Sequence, residues 1–136
     1  MPAGAKGPTG KAPDPTVLVT PSVKPIAKVR RAINAIAFSP QGNWIAVGRY
    51  RTVELLSSDT RSVRQSIPQR GAVNDLVFTA GGTRLVIASG ETGLVGEVTI
   101  YDIANNKVLH TLRGHKDIVY ALAVSPNGKL LATGSY

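Results

Sequence analysis

Gly114-His115 opens a frame that decides the fold. A three-residue gap leads to the alternation Val119-Tyr120-Ala121-Leu122-Ala123-Val124, then Ser125-Pro126-Asn127-Gly128 and Leu130-Leu131-Ala132-Thr133-Gly134-Ser135. Apolar residues in alternation, a turn tetrapeptide and a second short apolar run read as strand, tight turn, strand. The frame recurs upstream as Ala35-Ile36-Ala37-Phe38-Ser39-Pro40-Gln41-Gly42 and as Asp75-Leu76-Val77-Phe78-Thr79-Ala80-Gly81-Gly82. Gly42, Gly82 and Gly128 are equivalent, 40 and 46 positions apart. Proline suits the first corner of such a turn because its φ is pre-set, and glycine tolerates the positive φ that closes it. Gly114 is read as a fourth turn glycine, ahead of the third repeat.

Self-similarity at about 40 residues, built from short strands and tight turns, is the pattern of a β-propeller. The expected fold is all-β: blades of four-stranded antiparallel sheets in an incomplete ring. Its units are 32–70, 71–113 and 114–136, the last holding only two strands. Expected strands lie near 32–38, 44–48, 52–56 and 63–67 in the first unit. In the second they lie near 72–78, 84–89, 97–101 and 107–112, and in the third near 118–124 and 130–134. Val53, Leu55 and Leu56 correspond to Val98, Ile100 and Tyr101, 45 positions on, so the extra residues of the second unit fall around Glu91 to Glu97. The repeat stops mid-unit, and the expectation is a piece of a longer propeller protein. Self-association that completes a ring is the alternative, because a partial blade leaves a strand edge and an apolar face unmatched.

Composition narrows the function classes. There is no cysteine, hence no disulfide framework. The apolar runs are strand-sized, too short for a transmembrane helix. Residues 1–31 form a Pro/Gly-rich segment without the continuous apolar stretch of a signal peptide. The absence of both cysteine and signal peptide favours the cytoplasm. A short β-prone stretch at 16–20 is a candidate strand within that segment. It is also basic, with Lys6, Lys11, Lys24, Lys28, Arg30 and Arg31 against Asp14, although the net +8 of the chain is spread thinly. Spaced charges with few aromatic residues make nucleic acid an unfavoured partner.

The residues quoted above carry a family resemblance. Gly114-His115, Val124-Ser125-Pro126-Asn127-Gly128 and Leu131-Ala132-Thr133-Gly134-Ser135 resemble the WD40-repeat family. Val98-Thr99-Ile100-Tyr101-Asp102 resembles that family's terminal dipeptide, with Tyr101 in place of tryptophan, whereas the first unit has Leu56-Ser57 there. Arg49-Tyr50-Arg51 ahead of Val53-Glu54-Leu55-Leu56 is similar in style to bacterial multidomain WD40 proteins. The resemblance implies a structural hydrogen-bond network in which His115 meets a hydroxyl from Thr133 or Ser135, and no such lock where the first two units lack Gly-His.

The chemistry-bearing residues form no catalytic constellation. His110 and His115 stand across a strand–turn junction without a third ligand. Asp75, Asp102 and Asp117 read as turn or strand-end residues, and Gly90-Glu91-Thr92-Gly93-Leu94-Val95-Gly96 lacks the Lys-Ser or Lys-Thr ending of a phosphate loop. That stretch reads as an enlarged hairpin loop with Leu94 and Val95 at its tip. With Arg49, Tyr50 and Arg51 of the first unit it makes a candidate binding rim: an aromatic anchor, two arginines able to pair with carboxylate or phosphate, and apolar tips. Trp44 reads as a packing residue. The expected function is a non-catalytic protein–protein interaction scaffold, not an enzyme, with no cofactor and no metal. Its partner would be another protein, further blades of the same propeller or a second copy. The alternatives are the propeller domain of a multidomain enzyme whose catalytic residues lie elsewhere, and nucleic-acid attachment through residues 1–31.

Overall fold

A computed structural model describes residues 31–136. The basic segment 1–31 and the candidate strand 16–20 therefore lie, except for Arg31, outside the described residues. The described residues contain eight strands and no helix: β1 (Ala35–Phe38), β2 (Trp44–Ser57), β3 (Val63–Phe78), β4 (Arg84–Glu91), β5 (Val95–Asp102), β6 (Lys107–His115), β7 (Val119–Val124) and β8 (Leu131–Ser135). Strands β1 to β6 pair antiparallel in chain order, and β7 pairs with β8 in a separate ladder. Among the described residues the strands form no closed ring.

Two of these strands are longer than expected, and each changes partner or direction part-way along. Fully extended, the fourteen residues of β2 would span about 46 Å. Yet Ser58 N donates to Asn43 O at 3.0 Å, so the ends of β2 lie side by side. The strand doubles back at Tyr50-Arg51, where Arg51 has φ 65°. Its first half pairs with β1 through Ile45 to Gly48, and its second half with β3 through Thr52 to Leu56. The ladder runs through the turn because Tyr50 itself pairs with Ala72. β3 changes partners midway: residues up to Pro68 pair with β2, Ala72 pairs with both β2 and β4, and Val73 onward pair with β4. Gly71 makes that change of direction at φ 109°. A Cβ there would run into the Gly90 carbonyl, so only glycine fits. The result is two four-stranded blades and a two-stranded third.

The three turn tetrapeptides are superimposable in bonding. Gly42 N donates to Ser39 O, Gly82 N to Thr79 O and Gly128 N to Ser125 O, at 2.8 to 2.9 Å. All three glycines have φ between 69° and 75°. Gly114 does not belong with them. It lies inside β6 with extended backbone, because the turn into the third unit falls later, between His115 and Val119.

The core lies between blades. Val53, Leu55 and Ile67 of the first blade pack with Val73, Leu85 and Ile87 of the second, all at most 2% exposed. A smaller cluster joins Val86, Ala88 and Val98 to Val119, with Leu122 and Leu131 against it. Trp44 packs on the first cluster, as a packing residue should. Burial alternates along β1 and most of β3, which is why the period-2 pattern was readable there, whereas β4 is buried on both faces from Leu85 to Gly90.

Candidate binding rim

The hairpin tips and the connections into each inner strand gather at one end of the blades. Register places them there: Tyr50 pairs with Ala72, Ala72 with Gly90, Gly90 with Gly96, and Gly96 with His115.

The second-unit stretch 90–96 is not an enlarged loop. β4 and β5 stay paired out to Glu91 and Val95, leaving only Thr92-Gly93-Leu94 as the turn. The extra residues lengthen a hairpin. Its tip is also clamped, since Asp117 Oδ1 accepts from Gly93 N at 3.0 Å and from Ile118 N at 2.7 Å. These N–H groups, Gly93 first, hold the Asp117 carboxyl below its ordinary range. Leu94 is 72% exposed at the tip. Val95, expected beside it there, is instead the half-buried first residue of β5.

In the first unit, Tyr50 is exposed and its hydroxyl donates to Glu91 Oε1 at 3.3 Å, bridging the two hairpins. Arg49 turns inward: Nε meets Glu54 Oε2 at 3.1 Å and an Nη donates to the Arg31 carbonyl at 2.6 Å. Arg51 lies with its guanidinium 6.0 Å from the Tyr50 ring centroid. Thus Tyr50, Arg51 and Leu94 face outward on this rim, while Arg49 is spent on holding it together.

His115 Nε2 lies 2.8 Å from Thr133 Oγ1. The other candidate hydroxyl, Ser135, donates instead to the Asp117 carbonyl at 3.1 Å. The second unit has a polar set of its own that the sequence reading missed. Gln69 Oε1 accepts from Ser89 Oγ at 3.1 Å and from Thr99 Oγ1 at 3.3 Å, and both hydroxyls are buried. Gln69 precedes His115 by 46 positions, the offset of Gly82 and Gly128, so it stands where the third unit has its histidine. That offset was the signal.

One carboxylate was also misread. Asp75 is no turn residue: it sits within β3, where Oδ2 accepts from Leu122 N of the third unit at 2.7 Å. Asn74 beside it donates to Val119 O at 3.1 Å. Glu97 is buried on β5 and meets Arg113 at 2.7 Å and Arg70 at 3.6 Å. Asp102 does end a strand. It accepts from the side chain and backbone of Asn105, which lower its pKa, the side-chain bond most.

The WD domain, G-beta repeat family matches residues 24–65 and 106–136, together more than half of the sequence. The chain belongs to the WD40-repeat family. This WD40 chain is 41% identical over 63 residues to the human intraflagellar transport protein 122 homolog, an overlap of 46% of the chain and 5% of that protein. It is 31% identical over 71 residues to a guanine nucleotide-binding protein subunit beta of Schizosaccharomyces pombe, covering 52% of the chain and 22% of that protein. With the WD repeat-containing protein srw1 of the same yeast, identity is 30% over 108 residues, 76% of the chain and 19% of that protein. The WD40 chain thus spans about a twentieth of the first of these relatives and about a fifth of the other two. Among the described residues no three metal-ligating side chains converge, and no helix is long and apolar enough to cross a membrane. WD40 membership supports a generic protein-interaction role.

Proposed function

We propose that this chain is a protein-interaction scaffold that presents the hairpin-tip rim to a protein partner. The observation that carries the reading is Leu94. A large apolar side chain is held out in solvent by a hairpin whose tip is fixed to Asp117, so it is displayed at little ordering cost on binding. Leu94 fits a shallow apolar hollow, and Tyr50 beside it supplies an aromatic surface. The test is a photo-crosslinking amino acid placed at Leu94, with Val63, an exposed site at the opposite end of the blades, as control. A discrete protein adduct from position 94 and none from 63 is the expected result. No adduct at 94, or one carrying nucleic acid, would overturn the reading.

A second reading is self-association through β1, favoured by Ile36 and Phe38, which are 60% and 64% exposed on one strand. Light scattering across a concentration series tests it. A defined oligomer that Phe38→Ser dissociates supports it, and a monomer throughout removes it.

A further inference from the structure

We infer that the first-blade end of this rim holds a carboxylate-binding cleft for an acidic segment of a protein partner. The cleft is a hollow of about 360 Å³ lined by Arg31, Ala32, Asn34, Tyr50 and Arg51. The inference rests on the scaffold reading and specifies the chemistry of its partner.

Charge is the first argument. Among the described residues, the ion pairs at this end occupy Arg49, Arg70 and Arg113, and neither Arg31 nor Arg51 meets a carboxylate within 4 Å. Arg31 and Arg51 thus line one hollow with Asn34 and Tyr50, and the Glu91 carboxylate on the Tyr50 hydroxyl pairs with neither arginine among the described residues. Guanidinium forks bind carboxylates in bidentate fashion, and an aromatic wall holds the fork in plane.

The second argument is that the cleft is built. Glu54 fixes Arg49, and Arg49 in turn holds the Arg31 backbone through its carbonyl. Asn34 is anchored by its N–H on Gly48 O at 2.9 Å, and Tyr50 by its hydroxyl on Glu91. Arg31 and Asn34 are thus held through backbone atoms, which leaves their side chains uncommitted by these bonds, and Tyr50 is held through its hydroxyl.

The third argument is the backbone. A two-residue hairpin turn is best served by Asn-Gly or a similar pair, because it demands positive φ. Here the turn carries Tyr50-Arg51, with Arg51 at φ 65°. A long charged side chain in the left-handed region is retained against the local preference. From this turn Arg51 lines the hollow.

Arg51→Gly separates ligand binding from folding, since glycine relieves the φ while removing the guanidinium. Arg61→Gly is its control: Arg61 also has positive φ, at 55°, and lies in the turn between β2 and β3 at the other end of the blade. Both variants lose one positive charge and relax one turn. A fluorescein-labelled octa-glutamate peptide, titrated against the full chain by fluorescence anisotropy, is the probe, with octa-glutamine as its uncharged counterpart. The expected result is binding to the wild type that weakens with salt, weakens about tenfold or more in Arg51→Gly and Arg31→Ala, and is unchanged in Arg61→Gly. Equal binding by Arg51→Gly and Arg61→Gly overturns the cleft, as does equal binding of octa-glutamine. Tighter binding of a labelled uridine octamer, lost in Arg51→Gly, overturns the choice of a protein ligand. If the wild type ignores the acidic peptide while position 94 still crosslinks a protein, the cleft fails and the scaffold reading stands. Loss of both removes both.

Discussion

Gln69 shows how a single side chain can take over a role that the repeat pattern assigns to another residue type. Its Oε1 satisfies two hydroxyls, Ser89 and Thr99, that are buried between strands. Gln69→Leu should therefore cost about 1–3 kcal/mol, measured as a shift in the urea midpoint, because both hydroxyls lose their acceptor. Gln69→His, which installs the residue of the third unit, should recover part of that loss. Equal stability of the leucine variant and the wild type would show that the set contributes nothing. Asp117 makes a pH-dependent contribution instead. Its folded pKa is depressed, chiefly by the Gly93 N–H, so its stabilisation is present above the unfolded value of about 3.9 and disappears as pH falls through the folded value. Asp102 shifts in the same direction through Asn105. The chain should lose stability below about pH 4. Asp117→Asn keeps an acceptor oxygen but no charge, so it should flatten that acid limb in a pH series of denaturation curves. An unaltered limb would count against the Asp117 clamp.

At the scale of elements, turns were legible and hairpin lengths were not. Ser39-Pro40-Gln41-Gly42 and its two counterparts are local chemistry: one i-to-i+3 hydrogen bond and one glycine with positive φ define each. Nothing local shows whether residues 90–96 bulge as a loop or continue as paired strand. Glycine and glutamate read as loop residues, but Glu91↔Val95 and Gly90↔Gly96 pair because Asp117 captures the tip and β6 flanks β5. Gly71 is the element-scale weak point. Gly71→Ala forces a Cβ into the Gly90 carbonyl and strains a φ of 109°, so it should destabilise the chain by more than about 2 kcal/mol. Gly81→Ala meets open space and should change stability by less than about 1 kcal/mol. Comparison of the two thermal midpoints checks the contrast.

Across the whole described body, stability is uneven because blades bury their faces against neighbours, as stacked repeats do. The cluster between the first and second blades has eleven buried residues, and the cluster under the third has four. Leu55→Ala, at a fully buried position of the larger cluster, should cost about 2–5 kcal/mol in equilibrium unfolding. Amide hydrogen exchange should find β7 and β8 less protected than β3 to β5, since the third unit adds one two-stranded ladder and hangs on Asn74, Asp75 and the small cluster. Uniform protection would contradict that ranking. The sequence by itself determined the repeat, its period and the positions of the three tetrapeptide turns. Those are consequences of backbone alternation and turn chemistry, which act within a few residues. Only the tertiary structure decided which polar groups meet. Gln69 reaches Thr99 across 30 positions, Asp117 reaches Gly93 across 24, and Arg49 reaches the Arg31 carbonyl across 18. Such meetings depend on the twist of each blade and its seating on the next, and no local window of sequence carries that geometry.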